Sequence, residues 1–299
     1  MAIPVLEVNN LTKRFGKVTA VNGINMTLNQ GEVFGYIGPN GAGKTTTINV
    51  LLGILRASSG SVQIFGKDAW SDAVEIHKRI SFVPGDVNLW PNLTGGEVID
   101  LFTSLRGKVD VAKRKRLLEM FELDPTKKCR TYSKGNRQKV ALVSAFAADS
   151  DLYILDEPTS GLDPLMEQVF QECVSEQKNN GKTILLSSHI LSEVERLCDR
   201  VSIIREGKII ETGTLSELRH LTNITMKVDT IKHIENLEQI KGISGIKRQN
   251  NGLSFQVESS EIGNVVAEIS RYGVTKLESM PPTLEDLFMR HYGGVQNEK

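Results

Sequence analysis

The stretch "GPNGAGKT", residues 38 to 45, decides the fold of this chain. It fits the pattern G-x-x-x-x-G-K-[ST] and stands between an apolar strand pattern and "GKTTTINVLLGIL", whose apolar residues have helical spacing. In this pattern the glycines let backbone N–H groups face a β-phosphate, Lys44 reaches the β- and γ-oxygens, and Thr45 ligates Mg²⁺. An eight-residue match can arise by chance, but the strand–loop–helix context favours a phosphate-binding loop.

A second motif, which is acidic, follows another strand. In "DLYILDEP" (151–158) an apolar run delivers Asp156 at its end, and Glu157 comes next. Ligands of open α/β sheets bind off the carboxyl ends of the strands, so a metal-orienting acid belongs here. Paired acids at a strand end can also be solvated turn residues, and the phosphate loop makes that alternative the weaker one.

A third stretch, "TYSKGNRQKV" (131–140), places Ser133, Gly135 and Asn136 before an apolar helical segment. Ser and Asn accept the N–H bonds of a first helical turn, which predicts an N-cap. Alternatively, those N–H groups stay free for an anion at the positive end of the helix. Taken alone, the stretch favours the cap.

Outward from these motifs, strands alternate with helices. Residues 5 to 38 read as short strands broken at Gly16, Gly23 and Gly31, and "GKTILLSS" (181–188) reads as a buried parallel strand. "MEQVFQECVSEQKNN" (166–180) reads as a helix closed by Gly181. The pattern predicts an α/β layered domain with a mostly parallel sheet.

Two further regions differ in pattern. Residues from about 90 to 148 look helical and predict a helical insertion. After "IIREGKIIETGTL" (203–215) the sequence predicts a small α+β domain, with a hairpin turn at Asn251-Gly252. We therefore expect one domain over residues 1–218 and a second over residues 219–299.

Composition restricts the class of protein. The 299 residues are 39% hydrophobic and 24% charged, and 36 basic residues balance 36 acidic ones, so no basic excess favours nucleic acid as a partner. The longest apolar run, "VALVSAFAA" (140–148), is half of the roughly 18 residues that a membrane helix needs. The N-terminus shows no secretory pattern. Three widely spaced cysteines predict buried, reduced thiols.

The four motifs, "GPNGAGKT", "YSKGNRQ", "YILDEPTSGLD" and "SSHI", follow one another in an order that resembles the nucleotide-binding subunit of an ATP-binding cassette (ABC) transporter over residues 5 to about 220. The resemblance implies a P-loop NTPase core: a parallel sheet with helices, an antiparallel β subdomain and the helical insertion, with the small α+β domain appended. It implies ATP and Mg²⁺ as ligands. The residues that it assigns to the phosphates are Gly38, Pro39, Asn40, Gly41, Ala42, Gly43, Lys44, Thr45 and Thr46.

The resemblance also implies that Ser133, Gly135 and Asn136 form a signature motif that completes the ATP site of a partner subunit. The helix N-terminus at "TYSKGNRQKV" would then stay open, because the γ-phosphate across the interface is its cap. Asp163 would bridge the two subunits.

The remaining roles carry over by position. Phe15 would stack on adenine, with core packing as the alternative. Glu157 would activate or position the attacking water, His189 would contact the γ-phosphate, and Lys44 completes the catalytic set. Thr45 and Asp156 would hold Mg²⁺.

Two positions depart from the family pattern. The usual LSGGQ is replaced by Tyr132-Ser133-Lys134-Gly135-Asn136, and the usual glutamine after the third strand is replaced by Gly85-Asp86. We expect Asp86 to take over a water-mediated contact to Mg²⁺. The apolar residues that follow, with Trp90 as anchor, either pack under their own loop or form part of a docking surface.

The closing "PPTLEDLFMRHYGG" (281–294) and the small domain resemble ATPases of exporters with a separate ABC-2-type permease. The implied partners are that integral membrane permease and a second ATPase subunit, as homodimer or heterodimer. The implied location is the cytoplasmic face of the membrane, through the permease. The alternatives are a non-transport ABC ATPase acting on ribosomes or DNA, and a regulatory module that holds ATP without hydrolysing it.

Overall fold

The computed structural model describes residues 3–105, 107, 110–220, 224–234, 236–249, 252–280 and 284–285. The chain divides into two compact units, Met1–Thr212 and Gly213–Lys299. Over the described ranges, every helix is too short or too polar to cross a membrane.

The first unit contains two sheets. Their strands are β1 (Pro4–Phe15), β2 (Val18–Asn29), β3 (Val33–Ile37), β4 (Ser59–Ile64), β5 (Lys67–Asp68), β6 (Ile80–Val83), β7 (Leu152–Asp156), β8 (Thr183–Ser188), β9 (Arg200–Arg205) and β10 (Lys208–Thr214). Its α-helices are α1 (Lys44–Leu51), α2 (Ala73–His77), α3 (Gly95–Ser104), α4 (Val111–Met120), α5 (Lys134–Ala147), α6 (Pro164–Asn179) and α7 (Leu191–Leu197).

The central sheet has the order β10-β9-β3-β8-β7-β6. The pairs β3–β8, β3–β9, β7–β8 and β6–β7 are parallel, and every residue of β3, β7 and β8 is buried. This accounts for their continuous apolar runs, because strands of a parallel sheet are covered on both faces. The carboxyl ends of β3, β7 and β8 therefore lie at one edge, as the sequence predicts.

The second sheet, β2-β1-β4-β5, is antiparallel. Leu6, Leu28 and Ile64 of this sheet share one apolar core with Ile48 of α1, and all four are fully buried. The prediction that Gly23 breaks a strand is wrong. Gly23 (φ 65°) lies inside β2, where the register shifts between the pairs Leu11–Ile24 and Lys13–Val21, so the glycine forms a bulge instead of a turn.

Helices α3, α4 and α5 make up the segment predicted as a helical insertion. Thr94 forms a capping box with Glu97 at the start of α3, and Asp110 caps α4 by accepting a hydrogen bond from the backbone N–H of Lys113. Gly181 follows α6 with φ 74°, which confirms the predicted helix end. The three cysteines are buried and form no disulfide bonds.

The second unit begins with α8 (Leu215–His220), followed by β11 (Ile224–Thr230), β12 (Ile243–Gln249), β13 (Gly252–Val257), α9 (Ile262–Ser270) and β14 (Val274–Met280). Its sheet is antiparallel with the order β12-β13-β11-β14, and Val265 and Ile269 of α9 share its apolar core. The predicted α+β domain is confirmed. Strands β12 and β13 pair from Gln249–Gly252 onward, whereas the predicted turn residue Asn251 and most of "PPTLEDLFMRHYGG" lie outside the described residues.

Candidate functional site

The loop over residues 38–43 joins β3 to α1, and its glycines are required by geometry. Gly41 and Gly43 have φ of 81° and 109°, a region that L side chains rarely adopt. A Cβ at Gly43 would lie 2.6 Å from the carbonyl oxygen of Ala20 in β2. Only glycine allows the loop to pass this close to the antiparallel sheet.

Lys44 is the first residue of α1, and its side chain bends back over the loop. Nζ donates to the carbonyl oxygens of Gly38 (2.6 Å) and Pro39 (3.4 Å) and lies 3.2 Å from Oε1 of Glu157. The side chain is only 6% exposed, so a positive charge is fixed inside the loop. This arrangement suits a phosphate anion.

Helix α1 has no side-chain cap and no acidic residue in its first turn. The helices α3, α4, α5 and α6 all begin with a side-chain oxygen that accepts a backbone N–H. The first turn of α1 thus presents N–H groups and a positive dipole end without an internal acceptor from a side chain.

Thr45 and Asp156 meet beside this loop. The Thr45 hydroxyl donates to Asp156 Oδ2 at 2.9 Å, whereas Asp156 Oδ1 is buried and has no hydrogen-bond partner. Burial raises the pKa of Asp156, and the nearby hydroxyls of Ser187 and Thr45 oppose the shift. A buried carboxylate oxygen without a partner, next to a hydroxyl, fits a hard cation such as Mg²⁺.

Asp86 lies on an exposed loop after β6. The preceding Gly85 packs against the end of β7: a Cβ there would lie 3.4 Å from the Asp156 carbonyl oxygen and from Glu157 Cβ. The structure therefore places this loop beside the acidic pair, and Asp86 itself makes no hydrogen bond or ion pair in the described part of the chain.

Glu157 follows β7 in a backbone conformation with φ 47°, which is strained for a non-glycine residue. Its N–H donates to the Ser187 carbonyl oxygen of β8, which fixes the turn. Oε2 is hydrogen-bonded to His189 Nδ1 at 2.5 Å, while Oε1 faces Lys44. The three residues predicted as catalytic are thus brought together from the start of α1 and the ends of β7 and β8.

Phe15 ends β1 and is 47% exposed, so the core-packing alternative is wrong. Lys13 Nζ lies 4.9 Å from the centre of its ring. Ala20 of the paired strand abuts Gly43, so the β1–β2 hairpin that carries Phe15 contacts the phosphate loop.

The signature segment differs from the expectation. Ser133 is the N-cap of α5, and its hydroxyl accepts the N–H of Asn136 at 3.2 Å, so the prediction of an uncapped helix end is wrong for the single chain. The cap forms because a serine with extended backbone can reach the third N–H of the helix.

Close packing explains Gly135 and Lys134. A Cβ at Gly135 would lie 2.6 Å from the carbonyl oxygen of Gly161, and Lys134 Nζ donates to the Ser160 hydroxyl at 2.8 Å. The signature therefore lies on the turn that follows Glu157. In the described chain no hydrogen bond or ion pair joins residues 133–136 to the phosphate loop.

Asp163 caps α6, since its carboxylate accepts the N–H of Met166 at 3.0 Å. In the single chain it thus has a structural role that the sequence analysis did not assign.

Sequence reasoning also missed a buried link behind His189. The Ser188 hydroxyl donates to Glu193 Oε2 at 2.8 Å and accepts the Ile190 N–H at 3.0 Å. The signal was available in "SSHILSE" (187–193), where a serine precedes the histidine and an acid stands at the third position of the next helix.

An apolar groove of about 280 Å³ lies between the central sheet and the helical segment. Its lining includes Phe82, Leu89 and Phe102. The Trp90 ring packs on Phe102, with centroids 6.0 Å apart, yet the residue is 51% exposed. An exposed aromatic at the rim of an apolar groove is typical of an interaction surface.

Comparison with known proteins identifies the family. The family model described as "ABC transporter" matches residues 21–160, and a second, described as "ATP-binding protein DrrA1-3-like, C-terminal domain", matches residues 213–292. The solved structure of an ATP binding subunit of an ABC transporter has a TM-score of 0.68 and 34% identity, and the match covers 73% of this chain and 92% of that chain.

Two relatives match almost end to end. The ABC transporter ATP-binding protein YhaQ of Bacillus subtilis (strain 168) is 33% identical, over 97% of this chain and 99% of its own length. The bacitracin transport ATP-binding protein BcrA of Enterococcus faecalis is 31% identical, over 97% of both chains. The phosphate loop, the acidic strand end and these full-length similarities lead to one conclusion: this chain belongs to the ATP-binding proteins of ABC transporters.

Proposed function

We propose that this chain hydrolyses ATP to drive an exporter whose membrane permease is a separate subunit. The observation that carries the proposal is the grouping of Lys44, Glu157 and His189 at one sheet edge beside an uncapped α1. The transport role is supported by the full-length similarity to BcrA, a bacitracin transport ATP-binding protein, and by the DrrA1-3-like domain.

The chemistry follows from the contacts. Residues 38–46, among them Lys44, bind the ATP phosphates. Glu157 orients a water molecule and takes its proton as the water oxygen attacks the γ-phosphorus. The bond between the γ-phosphorus and the β–γ bridging oxygen breaks, which leaves ADP and phosphate. His189, bonded to Glu157, is placed to contact the γ-phosphate.

Thr45 and Asp156 would hold Mg²⁺, and Asp86 would contact it through water. When bound, the cation neutralises phosphate charge. The buried Asp156 Oδ1 without a partner supports this assignment.

Each chain has one phosphate loop and one signature, so a site that needs both requires two subunits, as a homodimer or a heterodimer. In the proposed arrangement Ser133, Gly135 and Asn136 face the nucleotide held by the partner, Asp163 lies at the interface, and Phe15 stacks on adenine.

The permease would dock at the groove beside Trp90 and thereby hold the chain at the cytoplasmic face of the membrane. Residues 1–218 would be the nucleotide-binding domain, and residues 219–299 an accessory domain. A helix inserted into an apolar groove is a common mode of recognition, and aromatic anchors carry much of the binding energy at such surfaces.

The two tryptophans of the chain offer a matched test of docking. Trp90 and Trp70 are 51% and 48% exposed, and Trp70 packs with Arg56 away from the groove. The tagged chain is purified from detergent-solubilised membranes, and co-purified proteins are identified by mass spectrometry.

We expect the wild type and Trp70→Ala to retain an integral membrane protein that Trp90→Ala loses. The isolated Trp90→Ala chain should keep the ATPase activity and the melting temperature of the wild type. Recovery of ribosomes or DNA instead of a membrane protein would favour the nucleic-acid alternative. A much lower melting temperature of Trp90→Ala would show that Trp90 mainly stabilises the fold by packing under its own loop.

A further inference from the structure

Glu193 is a buried acid that the proposed chemistry does not use. It lies in α7 and is 5% exposed, and its Oε2 accepts the hydroxyl of Ser188, a residue that is fully buried. The same hydroxyl accepts the N–H of Ile190. The chain of contacts from Glu193 through Ser188 to Ile190 therefore encloses His189, the residue between the last two.

The geometry differs from an ordinary helix cap. In a capping box the acid at the third helical position accepts the N–H of the N-cap residue directly. Glu193 and Ile190 hold these two positions of α7, but the Ser188 hydroxyl stands between them. The cap is thereby extended backward across His189 to the last residue of β8.

The position is costly for a carboxyl group. Glu193 Oε1 is buried and has no hydrogen-bond partner. Burial raises the pKa of Glu193 to about 7, although the nearby hydroxyls of Ser188 and Thr159 oppose the shift. Glu157 and Glu167 face it with charges of the same sign. An apolar residue would fill this site at a lower desolvation cost, so packing alone does not account for the acid.

We propose that Glu193 is a positioning residue for His189: through Ser188 it fixes the short segment between β8 and α7 that carries the histidine toward Glu157. The inference rests on the proposed function, in which His189 contacts the γ-phosphate. His189 is 52% exposed, so few neighbours other than this segment and Glu157 hold it in place. Loosening the segment misplaces the ring at the reacting phosphate but leaves the phosphate loop intact.

The test measures kcat and KM of the purified full-length chain for Glu193→Ala, Glu193→Gln, Ser188→Ala and the double variant Ser188→Ala/Glu193→Ala. Ser192→Ala, an exposed first-turn change in the same helix, is the control. We expect Glu193→Ala to lower kcat about tenfold with KM nearly unchanged, as one lost positioning hydrogen bond allows. Glu193→Gln restores most of kcat because its amide oxygen still accepts the Ser188 hydroxyl. The double variant is no worse than either single variant.

Ser188→Ala removes only a hydroxyl, so it tests the same link even if the larger change, Glu193→Ala, causes misfolding. A kcat within twofold of wild type for Ser188→Ala or Glu193→Ala would overturn the inference. So would a lower melting temperature without any change of kcat per folded molecule, which is the result of a simple helix cap. An inactive wild type, or an unaffected Glu157→Gln, would contradict the proposed function instead.

Discussion

Two helix N-termini in this molecule are predicted to bind phosphate, and they differ in whether a side chain of their own chain caps them. Helix α1 begins after Gly43, and no side chain caps it. Helix α5 begins after Ser133, whose hydroxyl accepts a backbone N–H of the first turn. The N–H groups at the start of α1 thus have no side-chain acceptor from their own chain and suit an anion. At the start of α5, one N–H group already has such an acceptor, a cap that contributes about 1 kcal/mol.

The two ends are connected through the segment after β7. Asp156 and Glu157 face α1, while Ser160 and Gly161, a few residues later, pack on Lys134 and Gly135 at the start of α5. Both helix N-termini thus contact the same short turn, residues 157–161. Under the proposed function, this contact would link hydrolysis at one end to subunit contact at the other.

The largest effect is expected at the α1 end. Glu157→Gln removes the proton acceptor but keeps the loop and Lys44, so turnover falls by about 10²–10⁴-fold while MgATP still binds. Phosphate release measures the turnover, and size-exclusion chromatography with ATP detects the dimer that accumulates. Hydrolysis within threefold of wild type would show that Glu157 does not have the assigned role.

Lys44→Ala tests binding at the same end. A hydrogen bond to a charged group contributes about 1.5–3 kcal/mol, so the affinity for ATP should fall by about 10- to 100-fold. Titration with a fluorescent ATP analogue measures this loss, and Glu157→Gln serves as the control that binds normally. Unchanged affinity in a protein with the wild-type melting temperature would remove Lys44 from the phosphate site.

A smaller effect distinguishes a cap that only stabilises a helix from one that lies at a nucleotide. Ser133→Ala and Thr94→Ala each delete an N-cap hydroxyl, at α5 and α3, and each should lower stability by about 1 kcal/mol. Only Ser133→Ala should also lower ATPase activity. Equal turnover in the two variants would make Ser133 a structural cap alone.

The α1 end was predictable because its information is local. The glycines of "GPNGAGKT" and the strand before them lie within one short stretch of sequence. Asp156 and Glu157, at the end of β7, lie in another. The cap at Ser133 needed knowledge of which N–H its hydroxyl reaches. Gly23 was misread because a bulge depends on the register with β1, which the sequence of β2 alone does not contain.

The link through Ser188 was missed for a related reason. It depends on how the end of β8 packs against α7. The position of the exposed Trp90 ring likewise depends on its contact with Phe102 of α3. Contacts between elements are set by tertiary packing, whereas the phosphate loop is set by its own glycines.

The central claim is that one ATP site is built from the α1 end of one subunit and the α5 end of another. It is tested most directly by mixing Lys44→Ala chains with Ser133→Asp chains. Aspartate retains the N-cap and adds a negative charge against phosphate, and it avoids the clash that any side chain at Gly135 would make with Gly161.

Each variant alone lacks an intact composite site, whereas a mixed dimer has one, formed by the loop of the Ser133→Asp chain and the signature of the Lys44→Ala chain. The measurement is ATPase activity of mixed dimers isolated through two different tags. We predict activity well above that of either variant alone. Mixed dimers no more active than the separate variants would contradict the shared site.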